Sequence, residues 1–373
     1  MMNITLFDDN TKILEGPMQH NGDIYTYYND SARPEVGNMR ALLEKWFGCY
    51  PEDEKQDLKS RFQAAFNPTF YELYIYILFQ QMGYTLSIHP ELPDVKKCPD
   101  YLATKGEEKI YIEVKHIMML TQNDQSLQRM QNTVLDALNK VDATNFLLKL
   151  DSIVFKDGSQ PSGKMLIKFF NEALAVIDPD IYTADLIKNT YNGMPKITYD
   201  DDKITLEIQL IPKYPIHRGM GSGAIGSLPI VTQIGNDTEN IISALETKAS
   251  RYGHLNAPYI ICVNKQSVSF DVMEVQEALY GSWEISWSED SNNRDEKSRF
   301  SGNGFFGSKH NPKATRVSGI YVTNANTANL TTTAGHVFRH NHFAKFPVDL
   351  EIMNSIAELL NVPKDYPFNK GSN

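Results

Sequence analysis

Four ionisable residues between positions 72 and 115 have types and spacing suited to chemistry. Glu72 is the only charged residue in the run Phe70-Tyr-Glu-Leu-Tyr-Ile-Tyr-Ile-Leu-Phe79. A helix this apolar must be largely buried, where an unpaired carboxylate costs several kcal/mol, so Glu72 requires a cation, a metal or a hydrogen-bond partner. Asp100 follows Pro99, and further along Glu113 and Lys115 flank Val114. On a strand, a spacing of two projects both side chains to one face, with Ile112 and Val114 behind them. Two or three carboxylates and a backbone carbonyl are the hard oxygen ligands that Mg2+ prefers, and they leave coordination positions for water and a phosphate oxygen. A lysine beside them can orient the attacking water and stabilise the charge developing on a phosphorane-like transition state. The set suits hydrolysis of a phosphodiester. The same residues also have plainer roles: a Glu113–Lys115 ion pair on a solvated sheet face, Asp100 capping a turn, and Glu72 paired with a lysine.

The elements that would position these groups can be read from periodicity and breakers. A strand is expected at Ile4 to Phe7, then a polar, tyrosine-bearing run from Tyr25 to Asn38, a helix over 39–47 and a helix-compatible charged stretch over 51–59. A helix begins near Pro68, with Asn67 as its cap, and runs to about Met82 before Gly83. Strands follow over 85–89 and 100–104. Ile110, Ile112 and Val114 alternate with Tyr111, Glu113 and Lys115, a period of two that predicts a strand over 110–116. A helix over 124–141, a strand over 145–155 and a helix over 162–176 come next. A hairpin is expected at 196–198 and 204–212, then a helix from about Thr238 to Tyr252, a buried strand over 259–263 and a helix over 272–280. The stretch 283–307 reads as loop, 317–323 as strand and 349–360 as a closing helix. Helices alternating with strands indicate an α/β fold with a mixed sheet.

The chain has 373 residues, 41% of them apolar and 22% charged, which is ordinary globular composition with material for a sizeable core. No apolar run approaches a membrane span and Met1 to Asn10 lacks a signal-peptide pattern, so no membrane association is expected. Cys49, Cys98 and Cys262 are few and far apart, which argues against a disulfide framework and for a reducing, cytoplasmic setting. The formal charge of −10 excludes a uniformly cationic surface. Within it, Arg294 to Lys345 carries eight basic residues against Asp295 and Glu296 alone, with Phe305 and Phe306 among glycines. Such an asymmetry suits a polyanion, and equally a solvated charged face.

Pro99-Asp100, a gap of twelve residues and Glu113-Val114-Lys115, preceded by a helix with its own lone acid, resemble the PD-(D/E)XK nuclease superfamily, which includes many restriction endonucleases, resolvases and repair nucleases. The matching segment covers roughly residues 66 to 155. The resemblance implies a restriction-endonuclease-like core of a helix, three strands, a helix and a further strand. It implies Asp100 and Glu113 as metal ligands, the Val114 carbonyl completing the metal shell, Lys115 positioning or activating water, and Glu72 as the helix acid. The cofactor expected is Mg2+, with Mn2+ able to substitute. On this reading residues 1–60 form an N-terminal accessory layer, 61–285 the nuclease core with insertions, and 286–373 a basic C-terminal extension packed on the core. The expected activity is metal-dependent hydrolysis of DNA by an endonuclease in restriction or anti-phage defence, working as a homodimer and with further defence-system proteins as partners. The alternatives are a structure-specific repair or recombination nuclease, or an inactive nucleic-acid-binding regulator. Arg129, Arg218, Lys309, Lys313, Arg316 and Arg339 are the candidate nucleic-acid contacts. The segment Ala244 to Asn264 resembles a helix and strand of a group of uncharacterised bacterial proteins with such a core, and places Lys248 and Tyr252 on one helix face.

Other motifs are weaker. His116 suits either phosphate binding or a sheet edge, and Gln125, Gln128, Arg129 and Gln131 suit either a site or a polar helix face. Gly221, Gly223 and Gly226 spell G-x-G-x-x-G, but no helix follows directly as a dinucleotide site requires, which leaves a loop near the substrate cleft. His336, His340 and His342 have no acid or cysteine nearby in sequence to complete a metal site. No nucleophile elbow, phosphate loop or H-E-x-x-H is present.

Overall fold

The computed structural model describes residues 4–93, 96–118, 122–156, 158–181, 194–219, 224–227, 237–267, 270–286, 297–330, 335–349 and 352. The chain divides into two compact units. Unit 1 comprises residues 1–15, 28–119 and 235–373, and unit 2 comprises 16–27 and 120–234.

In the N-terminal part, Leu6 and Phe7 are buried but form no strand, contrary to the expectation for 4–7. Their N–H groups donate to the Glu44 carboxylate, which satisfies the backbone without a sheet partner. Helix α1 (Ile24–Asp30) occupies part of the tyrosine-bearing run, followed by α2 (Pro34–Gly48) and α3 (Lys55–Ala64).

Helix α4 (Phe66–Gln81) is buried at almost every position from Phe70 to Phe79, as a helix that is apolar all round must be. It starts two residues before the expected point. Ala65 precedes it with no side-chain cap, so Asn67 lies inside the first turn and is not its cap. Pro68 is tolerated there because its missing N–H has no acceptor to lose. Gly83 closes the helix with φ +89°, in the left-handed region that glycine enters without a steric penalty.

Unit 1 is built on a six-stranded mixed sheet in the order β1 (Thr85–Ile88), β2 (Tyr101–Lys105), β3 (Glu108–Met118), β8 (Tyr259–Gln266), β13 (Gly319–Thr323) and β14 (His336–His340). The pairs β1–β2, β2–β3 and β13–β14 are antiparallel, whereas β3–β8 and β8–β13 are parallel. Tyr259 to Lys265 of β8 are all buried, because a parallel central strand is covered on both faces and reads as a continuous apolar run. Helices α7 (Asp237–Ala249) and α8 (Val272–Tyr280) contribute Ile241, Leu245, Val275 and Leu279 to a core with Ile117, Ile261, Val263, Ile320 and Val322. Phe305 and Phe306 belong to this core, so they are not aromatics offered to a polyanion. The stretch read as loop contains the antiparallel pair β9 (Trp283–Ser286) and β10 (Lys297–Phe300), and at its end begins a second pair, β11 (Gly307–Ser308) with β12 (Asn311–Pro312).

Between β3 and α7 in sequence, unit 2 forms its own four-stranded sheet, in the order β5 (Lys196–Asp200), β6 (Ile204–Pro212), β4 (Phe146–Phe155) and β7 (Ile225–Ser227). Helices α5 (Gln122–Leu138) and α6 (Gly163–Ala175) cover it through Val134, Leu138, Leu166 and Phe170, packed with Leu148, Leu150, Leu206 and Leu210. The helix and strand that follow β3 in sequence therefore do not complete its sheet. The next strand beside β3 is β8, about 140 residues on, and β13 and β14 from the expected C-terminal extension are sheet strands too. The fold is mixed α/β, with a mixed sheet flanked by helices. Of the closing helix expected at 349–360, all but Asp349 and Ile352 lies outside the described residues.

Candidate functional site

Strands β2 and β3 bring the two acids together. Tyr101 pairs with Ile112 in antiparallel register, which carries Asp100, one residue before β2, alongside Glu113 and Val114. The Val114 N–H donates to Asp100 Oδ2 at 2.6 Å, and the Asp100 carbonyl accepts from the His89 N–H at 3.0 Å. Asp100 is thereby tied at both its side chain and its backbone.

Glu113 is wholly buried, with 0% side-chain exposure. Lys248, at the last turn of α7, meets its Oε1 through Nζ with 11% of its own side chain exposed. The Tyr252 hydroxyl donates to Oε2, and Arg251 Nη1 lies 3.3 Å from Oε1 with 40% exposure. These donors are held in turn: the Tyr259 hydroxyl donates to the Lys248 carbonyl at 3.2 Å, and Arg316 Nη1 to the Tyr252 carbonyl at 2.9 Å.

The electrostatics follow from burial and like charge. Desolvation raises the Glu113 carboxyl above its usual range, and the neighbouring Asp100 raises it further, against the pull of Lys248 and Tyr252. Desolvation likewise raises Asp100, opposed by the Val114 N–H and by Lys248, with Glu72 adding repulsion. Tyr252 is pushed well up by burial and by its bond to Glu113, so it stays a protonated donor. His116, half-buried beside Lys115, is pushed down to about 4, first by desolvation and then by the lysine, and is neutral near pH 7.

Glu72 is paired, as its burial demanded, but with an arginine. Arg61 Nη1 reaches its Oε2, Arg61 Nε also holds Asp57 at 2.8 Å, and the Glu72 carbonyl accepts from the Tyr101 hydroxyl at 3.2 Å. Lys115 is half-buried on β3, paired through its main chain with β8, and its side chain makes no hydrogen bond or ion pair among the described residues. The Glu113–Lys115 ion pair of the plainer alternative is thus absent among them, and Glu113 is served by Lys248 instead. A resident divalent ion would find Asp100 and Glu113 as its side-chain donors. Among the described residues no three acidic, histidine or cysteine side chains surround one point. Two adjacent carboxylates, both raised chiefly by desolvation, nevertheless fit Mg2+, which commonly takes one or two protein carboxylates and keeps several waters.

Of the nucleic-acid candidates, Lys309, Lys313 and Arg316 are exposed in unit 1. Arg339 is not available: it is buried, and its Nη1 donates to the Phe338 carbonyl at 2.9 Å, because β14 is a strand of the sheet. In unit 2, Arg129 is exposed and Arg218 is held by Asp180 at 2.7 Å and the Lys213 carbonyl at 3.1 Å. Of the three loop glycines, Gly221 and Gly223 lie outside the described residues. Gly226 is in β7, where a Cβ would stand 2.7 Å from Leu147 Cβ; close strand packing requires that glycine. His340 Nε2 and His342 Nδ1 are 3.1 Å apart.

Sequence reasoning placed Lys248 and Tyr252 on one helix face without connecting them to Glu113; the helix ends at Ala249, so Lys248 lies in its last turn and Tyr252 in the bend that follows. Arg251 was missed altogether. The available signal was a basic residue and a tyrosine at the end of a helix that leads into a fully apolar strand. Comparisons with known protein families, curated proteins and solved structures give no match to this chain.

Proposed function

We propose that this protein is a metal-dependent nuclease hydrolysing phosphodiester bonds in DNA, built on a restriction-endonuclease-like core. The observation that carries this reading is the juxtaposition of Asp100 and Glu113: a half-buried and a wholly buried carboxylate brought together by neighbouring strands, both raised first by desolvation, with Asp100 adding repulsion at Glu113 and Glu72 adding it at Asp100. A fold keeps such a repulsive pair at a cost, and perturbed acids gathered in this way mark functional sites. When bound, Mg2+ would supply charge neutralisation at the phosphate and a more acidic water. Asp100 and Glu113 would hold it, with the Val114 carbonyl as the adjoining main-chain oxygen. Lys115, on the same strand face as Glu113, orients the attacking water. Arg251 and Arg316, together with Lys309 and Lys313, offer cations for the DNA backbone, which makes binding salt-dependent. Glu72, engaged by Arg61, fixes α4 and adds negative charge near Asp100.

Cleavage of supercoiled plasmid with Mg2+, Mn2+ or EDTA tests the proposal. Metal-dependent nicking or linearisation that Asp100→Ala and Lys115→Ala both abolish is the expected result. Cleavage that survives both substitutions refutes the assigned site. One observation favours a second reading, a non-catalytic nucleic-acid-binding protein: both Glu113 oxygens are already engaged by Lys248, Arg251 and Tyr252. No binding of Mg2+ or Mn2+ by the natural protein would favour it.

A further inference from the structure

Lys248 presents a feature that the nuclease reading leaves unexplained. Its ammonium contacts Glu113 Oε1, and its charge also acts on Asp100, so one Nζ serves both acids that would hold a metal. A lysine ammonium is a compact point charge on a flexible stem with three rotatable donors. Its main chain, by contrast, is anchored at the last turn of α7 by the Tyr259 hydroxyl, and the Tyr252 carbonyl beyond is anchored by Arg316. The side chain can leave Glu113 without moving the helix. Tyr252 would keep Oε2 in place meanwhile, since its hydroxyl binds the other oxygen.

Resting on the nuclease reading, we propose that Lys248 is an internal cation that occupies the Asp100–Glu113 pair in the metal-free protein and is exchanged for the divalent ion. Lys248 and the metal then compete for the same carboxylate charge, so the lysine sets the metal concentration at which the site fills. Once released, the ammonium lies beside a site built for a phosphodiester and is available to that anion. Lys248 is a positioning residue in the metal-free state and a phosphate ligand in the loaded one.

The test is calorimetric titration of the full chain with Ca2+ and Mn2+ in the absence of DNA, comparing the natural protein with Lys248→Met. Loss of the competitor should tighten metal binding by about tenfold or more, the equivalent of one competing charge contact. Equal or weaker binding by Lys248→Met overturns the exchange while leaving the nuclease reading intact. Absence of metal binding by the natural protein overturns both. Because Lys248→Met removes a buried partner and can impair folding, a second measurement uses the natural protein alone. Lysine acetylation followed by mass spectrometry should find Lys248 protected in EDTA and several-fold more reactive with saturating Ca2+. Unchanged reactivity in a protein that binds Ca2+ refutes the exchange.

Discussion

Three donors converge on the single carboxylate of Glu113, and their burial ranks what each contributes to stability. Arg251 lies 3.3 Å away with 40% of its side chain exposed, so water screens the pair and Arg251→Ala should cost under about 1 kcal/mol. Tyr252 is buried at 3% exposure and donates to the charged Oε2. Tyr252→Phe keeps the ring and removes only this bond, so the cost should be that of a hydrogen bond to a charged group, about 1.5–3 kcal/mol. Lys248 is 11% exposed against a carboxylate at 0%. Lys248→Met breaks a buried pair from one side and should cost about 3–5 kcal/mol, because an uncompensated buried charge remains beside Asp100. Urea denaturation followed by tryptophan fluorescence measures all three in unit 1: Trp46 and Trp283 belong to that unit, and Trp287 falls in the same stretch of sequence. A double-mutant cycle of Tyr252→Phe with Glu113→Gln should return a coupling of about 0.5–3 kcal/mol, as expected for residues in contact. An Arg251→Ala cost equal to or above that of Tyr252→Phe, or a cycle without coupling, would refute the geometry described for Glu113.

Other outcomes follow from the same physical arguments. Asp100 and Glu113 have raised pKa values in the folded protein, so their contribution to stability is fully present below the ordinary values of 3.8 and 4.5. It is lost as the pH rises through the raised folded values. Unit 1 should therefore gain stability from these groups on mild acidification, a gain that Asp100→Asn with Glu113→Gln removes; tryptophan-monitored melts across pH without metal check this. Gly226→Ala should destabilise unit 2 by about 1–3 kcal/mol, since the added methyl must displace Leu147 in the neighbouring strand, and far-ultraviolet circular dichroism melts would show it. Plasmid cleavage abolished by Asp100→Ala and Lys115→Ala, and Ca2+ affinity increased by Lys248→Met, complete the set.

Much of the local structure was legible because it depends on short-range patterns. The period of two in Ile110 to Lys115 is a property of a half-covered strand, and β3 is found there. Gly83 stops α4 because only glycine enters its left-handed conformation cheaply. The need of Glu72 for a partner also followed from the apolar run around it, although the partner's identity did not. Arg61 lies in a separate helix, and only packing of α3 on α4 brings it within reach. The cap of α4 was misplaced because Asn67 and Pro68 suit a first turn as well as a boundary, and the sequence does not choose between them.

What the sequence determined by itself was the alternation of helices and strands, the apolar character of α4 and β8, and the presence of an acid, an acid and a lysine at strand spacing. These are properties of neighbouring residues. Strand order was decided only by the tertiary structure: β3 pairs with β8 across an intervening unit of more than a hundred residues, and no local pattern encodes a partner at that distance. That pairing brings the end of α7 over Glu113, and with it Lys248, Arg251 and Tyr252. Lys115, two residues from Glu113 on the same strand, is not the cation that neutralises it. A buried carboxylate takes whichever donors packing brings against its oxygens, and here they come from the last turn of α7 and the residues just after it, 135 to 139 residues away.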